Sequence, residues 1–247
     1  MTALIFLLSQ FLLIGGITML ERRRHPVPTD WARNLQVWAL NIGAGFFFLR
    51  FFQDWRGASL LDGKTLPFLI AFPVFLLVRD FTEFFFHVAQ HRVGFLWRMH
   101  SLHHSDPEMN ALTTNRHFWG EQVIKAATIW PLTTMIISQS SAMIAGYSVL
   151  SLYNYVIHAN LRIDFGKWSW ALNCPAYHRR HHSKLEEHYN SNYAALFPIW
   201  DVIFGTYHRP DGWPPTGQAT APERFTDLVT WPVLPTEPKA TTQATVA

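Results

Sequence analysis

Eight of the chain's 13 histidines fall in three short runs, His87-x-x-x-His91, His100-x-x-His103-His104 and His178-x-x-His181-His182. Spacing i, i+4 sets two imidazoles one turn apart on one helix face, and i, i+3, i+4 gathers three within a sector of about 100°. Such rings can converge on a metal. Eight of them exceed what one tetrahedral ion uses and suit two adjacent ions with open positions. Lone rings such as His25 and His208 read instead as interfacial side chains. Crowded imidazoles are different, because they repel when protonated and lose hydration when buried, and a metal relieves both. The single cysteine, Cys174, excludes an internal disulfide framework and any cysteine-based cluster, so metal chemistry falls to histidine.

The elements that must position these rings are apolar. Of 247 residues, 49% are hydrophobic and only 15% charged, whereas soluble domains carry about 25% charged residues. A net charge of +3 without a long basic run excludes a nucleic-acid partner and leaves the cations as juxtamembrane anchors. Residues 3–20 read as a retained span, since Arg22, Arg23 and Arg24 follow the apolar run rather than precede it. Residues 34–52 read as a second. Residues 65–91 read as a third, kinked at Pro73, whose last turns emerge from the lipid with His87 and His91. Residues 123–137 and 142–157 flank "SQSS" as a hairpin or re-entrant pair. Arg33, Arg92, Arg98, Arg116, Arg162, Lys167, Arg179 and Arg180 fall on one side, against Arg56 and Lys64, balanced by Asp54 and Asp62, on the other. The positive-inside rule therefore puts every histidine cluster on the cytoplasmic face. The expected architecture is an all-α integral membrane bundle of about four to five spans, with a cytoplasmic helical cap carrying a two-metal histidine site. Residues 1–209 form one domain with its motif core at 68–208. Residues 210–247 form a Pro-rich tail in which "FTDLVTWPVLP" can dock and the last ten residues are disordered.

The order of the three histidine runs, with "NALTTNRHFWGE" at 110–121, "IHANLR" at 157–162 and "NYAALFPIWDVIFGTYH" at 192–208, resembles the fatty acid hydroxylase / sterol desaturase superfamily over roughly residues 68–208. The resemblance implies a di-iron centre that activates O2 to hydroxylate or desaturate lipid C–H bonds with externally supplied electrons. It implies His87, His91, His100, His103, His104, His178, His181 and His182 as catalytic metal ligands. It also implies His158, whose partner one turn earlier is Asn154 here, and raises His188 as a further metal ligand. Asp80 and Glu83, seven and four residues before His87 on one face, suit carboxylates that orient ligating rings.

The chain has no Gly-rich nucleotide fingerprint, haem domain or cysteine cluster. Its reductant is therefore expected to be a partner protein, a ferredoxin or a cytochrome fed by an NAD(P)H reductase, docking around Arg98, Arg179 and Arg180. The expected substrate is a membrane-dissolved lipid, such as a sterol, acyl chain or carotenoid, and the expected location is a bacterial inner membrane or the endoplasmic reticulum. Two other classes stay open: a bis-histidine haem electron carrier, and a membrane zinc hydrolase, whose His-Glu-x-x-His motif is absent.

Overall fold

The computed structural model describes residues 2–24, 30–52, 58–138 and 140–233. His25, Asp54, Arg56 and the last ten residues lie outside them. The expected all-α class holds. Among the described residues there is no strand, only two isolated β-bridges, Leu61 with Ile137 and Ser183 with Thr216.

Three long helices come first: α1 (Thr2–Arg24), α2 (Trp31–Phe52) and α3 (Phe68–Arg92). They coincide with the three apolar runs, and Pro73 lies inside α3, in its second turn. Among the described residues no helix is long and apolar enough to cross a membrane. The spans therefore belong with the proposal below.

At the end of α3 one extended residue, Val93, reverses the chain into α4 (Gly94–His104). The expected run 123–137 is not one helix: it breaks at Thr128 into α5 (Trp119–Ala127) and α6 (Ile129–Ile136). Pro131 explains the break, because a proline ring collides with the carbonyl four residues back and donates no N–H. Next come α7 (Ser141–Ile157) and α8 (Pro175–His181), the latter opened by Pro175 at its first position, where a missing N–H costs nothing. Two short helices, α9 (Ile199–Ile203) and α10 (Phe225–Val229), follow.

α3 packs chiefly on α7 and α4. The α3–α7 contact is close because Gly146 faces Phe75, whose ring lies where a Cβ would go. α1 is tied to the cap by the buried Glu21, which accepts from the Ala111 N–H (3.0 Å) and the Asn160 N–H (2.6 Å). The stretch 210–233 packs onto the histidine cap. Trp231 is wholly buried with Met99 and Leu102 of α4, Val37 of α2, Phe118 and Leu228, and its indole donates to Ser101 at 2.8 Å.

Candidate metal centre

α3 carries His87 and His91, α4 carries His100, His103 and His104, α8 with its C-cap carries His178, His181 and His182, and the C-cap of α7 is His158. All nine are buried. They form two groups, within each of which one ligand atom per residue lies within 4.8 Å of the others: His87, His91, His100, His104 and His181 in the first, His103, His158, His178 and His182 in the second.

Each His-x-x-His-His triplet is thus divided rather than converging on one point. Residues i and i+4 differ by about 40° around a helix and residue i+3 lies about 60° to the other side, so the outer pair shares one group while the middle ring faces the other. His100 and His104 join the first group and His103 the second. On α8 the assignment reverses, with His178 and His182 in the second and His181 in the first.

Backbone and carboxylate acceptors fix the rings. His87 Nδ1–H donates to the Tyr193 carbonyl (2.6 Å), His181 Nδ1–H to the Ser191 carbonyl (2.8 Å) and His158 Nδ1–H to the Asn154 carbonyl (2.7 Å). His100 Nδ1–H points to the Glu121 carboxylate at 3.2 Å. A ring that donates through Nδ1 presents the lone pair of Nε2, the form that binds a metal. The Nε2 atoms of His87, His100 and His104 are buried without a hydrogen-bond partner. Buried polar atoms are normally satisfied, so three unpartnered ring nitrogens in one group fit a shared cation.

The second group makes the same case by counting protons. Nε2–Nε2 separations are 3.1 Å for His158–His103, 3.0 Å for His178–His158 and 3.2 Å for His182–His178. His158 has placed its proton on Nδ1, so its Nε2 is an acceptor. If His178 donates to it, His178 Nε2 has no lone pair left for His182. Three N–H···N bonds among neutral rings are therefore impossible. Two nitrogens each ~2.1 Å from one ion stand ~3.0 Å apart across a right angle and ~3.4 Å apart across a tetrahedral one, which brackets these separations. The Nδ1 atoms of His103 and His178 have no partner, and packing holds His103, which lies parallel to His117 at 4.2 Å.

Electrostatics agree. Burial pushes the His100 imidazolium down to about 4. Burial and then neighbouring rings push His103, His104, His178 and His182 well below the ordinary histidine value. The rings are held neutral, as ligands must be.

Several sequence expectations are corrected. His188 joins neither group: it sits in a short 3-10 turn with Nε2 3.9 Å from Asp211. Asp80 and Glu83 do not touch the rings. Asp80 accepts from the Leu196 and Phe197 N–H groups and the Trp200 indole, and Glu83 pairs with Arg79 and Lys125, both at 2.8 Å. The basic face of Arg98, Arg179 and Arg180 does not form: only Arg98 is exposed, Arg179 stacks on Trp213 and donates to the Pro214 carbonyl, and Arg180 is paired with Asp211.

Sequence reasoning passed over the true acceptor. Glu121, 1% exposed, accepts from Gln90 Nε2 (2.5 Å), His100 Nδ1 and His117 Nδ1 (both 3.2 Å). Burial alone would push its carboxyl up, but the His117 and His100 rings and their hydrogen bonds hold it well below the usual carboxylate range. The available signal was His117-x-x-x-Glu121, an i, i+4 pair. Asp201 acts one layer further out, accepting from the Tyr193 and Ala194 N–H groups, the Tyr177 hydroxyl and Thr206, and so shapes the loop whose carbonyls orient His87 and His181.

A cavity of about 210 Å³ reaches both groups, touching His87 and His100 of one and His103, His158 and His178 of the other. Its walls continue through His117, Gln122, Lys125, Glu83, Arg79, Trp130 and Tyr147.

Comparison with known proteins matches the fatty acid hydroxylase family model to residues 72–206. The chain is 33% identical over 128 residues to alkylglycerol monooxygenase of Xenopus tropicalis, covering 52% of this chain and 28% of that protein. It is also 33% identical over 132 residues to the human alkylglycerol monooxygenase, with the same coverage. An ornithine lipid hydroxylase of Rhizobium tropici is 28% identical over 135 residues, covering 55% of this chain and 41% of that protein. The chain thus spans less than half the length of these relatives. No solved structure matches it.

Proposed function

The chain belongs to the fatty acid hydroxylase family, and from that premise we propose that it is a multi-pass membrane oxygenase with two iron ions that hydroxylates, or desaturates, a lipid C–H bond at the cytoplasmic rim of the bilayer. The observation that carries this reading is the pair of buried histidine groups opening onto one cavity. Relatives named for lipid oxidation agree with it.

In this reading His87, His91, His100, His104 and His181 hold one ion and His103, His158, His178 and His182 the other. Bound there, the ions would supply the redox capacity to activate O2, with electrons from a ferredoxin or cytochrome partner. The protein's own part is orientation and exclusion. The Tyr193, Ser191 and Asn154 carbonyls and Glu121 fix the rings, and burial keeps bulk water from the centre. A bis-histidine haem is disfavoured by geometry: axial nitrogens across one iron stand ~4 Å apart, whereas these converge at 3.0–3.2 Å.

Comparative lipid mass spectrometry of cells carrying the wild type or His103→Ala tests the proposal. A lipid that gains 16 mass units, or loses two, only with the wild type is the expected result. Identical lipid profiles, from wild-type protein shown to contain iron, would remove the enzymatic reading.

A further inference from the structure

Both histidine groups are buried, yet on the oxygenase reading electrons from an outside carrier must reach them. Tunnelling falls off exponentially with distance, so the place where a conjugated ring joins a group to the surface decides where a carrier docks. Two rings other than histidine lie against the first group. Tyr193 is wholly buried, its centroid 5.2 Å from that of His91 and 5.7 Å from those of His87 and His181. Trp97 is only half-buried, and its ring stands 5.1 Å from His91 and 5.4 Å from His104. Trp97 therefore joins the first group to the outer surface.

The surface around Trp97 has its own chemistry. The turn from α3 to α4 exposes Val93 and Phe95, flanked by the exposed Arg92 and Arg98. No acid occurs in the chain between Glu83 and Asp106. Arg79, Arg116 and Arg180 each meet a carboxylate, whereas no ion pair among the described residues includes Arg92 or Arg98. Arg92 meets the Tyr193 hydroxyl, and so stands over the second ring as well.

Position and charge decide what such a turn meets. The 25 residues of α3 make ~38 Å of helix against a hydrocarbon core of ~30 Å, so on the membrane reading its end stands clear of the lipid chains. Two uncompensated arginines there attract an acidic surface. Iron held behind the turn by neutral rings would add positive charge to theirs, which reinforces that choice. Val93 and Phe95 supply a small apolar centre, in keeping with the small interfaces of transient electron-transfer pairs.

Resting on the oxygenase reading above, we propose that the turn from Arg92 to Arg98 docks a small acidic one-electron carrier and that Trp97 bridges that carrier to the first histidine group. Each encounter passes one electron: the carrier is oxidised by one, and the iron held by the first group goes from ferric to ferrous. No bond is made or broken and no proton moves. The arginines and Phe95 set how fast and how tightly the carrier docks, and Trp97 sets how fast the electron crosses.

The test uses the iron-loaded protein in detergent, without oxygen, and a pre-reduced, acidic plant-type ferredoxin as the probe. Stopped-flow absorbance reads ferredoxin oxidation and calorimetric titration reads its binding, and neither needs a lipid. The wild-type rate constant should fall steeply with added salt. Arg98→Glu and Phe95→Asp should each lower the second-order rate constant and the affinity about tenfold at low salt. Lys167→Glu, an exposed charge reversal on the loop after α7, should leave both near the wild-type values. Trp97→Leu should keep the affinity but slow the first-order transfer at saturating ferredoxin severalfold, and Trp97→Phe should restore it. Dithionite, which needs no docking, should reduce the iron of every variant, which separates a lost route from lost metal. Unchanged rates in Arg98→Glu and Phe95→Asp, an equal loss in Lys167→Glu, or unchanged transfer in Trp97→Leu would each overturn the assignment. Loss of co-purifying anionic lipid from Arg98→Glu, with electron transfer unchanged, would give the turn to the bilayer instead. Electron uptake with the expected variant effects in a protein that oxidises no lipid would support the docking turn while removing the oxygenase reading, so the two fail separately.

Discussion

Among single residues Glu121 carries the sharpest consequence. Its carboxylate is the acceptor that holds His100 and, through His117, buttresses His103, one ring from each histidine group. Glu121→Gln keeps the shape but replaces three charge-assisted side-chain bonds by neutral ones, so iron affinity is expected to fall about 10- to 100-fold with the fold retained, as titrated by metal analysis after dialysis against a graded chelator. Protons should compete with folding at the same rings. The buried histidines have folded values below the ordinary 6.5, and His100 lies near 4. The unfolded chain therefore binds more protons than the folded one between these limits. Stability is fully present above pH 6.5 and declines as pH falls toward 4. Calorimetry of the metal-free protein from pH 7.5 to 5 should show a steadily falling melting temperature, and a flat profile would contradict the neutral-ring arrangement.

The histidines depend on how α3, α4, α7 and α8 are set against one another. The register of α3 on α7 is fixed where Gly146 admits the Phe75 ring, 2.4 Å from where a Cβ would stand. Gly146→Val forces the two helices apart and is expected to destabilise by about 1–3 kcal/mol, read as a lower denaturation midpoint. It should also lower iron content, because His87 and His158 ride on the two displaced helices. The division of each triplet between two groups is likewise a property of an element. A helix turns residues i and i+4 to one side and residue i+3 to the other, so placing an α-helix between the two histidine groups splits the triplet without further instruction.

At the scale of the described molecule the cap is closed by chain distant in sequence from the two histidine groups. Trp231 fills the space behind α4 and bonds Ser101, the residue next to His100. Trp231→Ala is expected to cost about 3–5 kcal/mol and to loosen α4 enough that the first histidine group loses iron before the second, a difference that a spectroscopic titration of the two sites would register. Glu21 performs a comparable service from the opposite end, joining α1 to the loops at Ala111 and Asn160. Truncating the chain before residue 210 should therefore reduce metal retention even though no ligand is removed.

Residue types and spacings alone determined the helical class, the family resemblance and the three histidine runs that the fold gathers into two groups, because imidazoles at i, i+3 and i+4 and apolar runs are local patterns that survive in one dimension. His188, which the resemblance raised as a ligand, stands in neither group, because a local motif does not specify where a 3-10 turn will set one ring. Pro131 announced the break between α5 and α6, yet hydropathy outweighed it. Only the tertiary structure decided which rings share a group, that Glu121 rather than Asp80 or Glu83 meets them, and that Arg179 and Arg180 are buried supports. These are questions of which side chains meet across 20 to 100 or more residues, and contacts at that separation are set by packing between elements, which no single segment encodes.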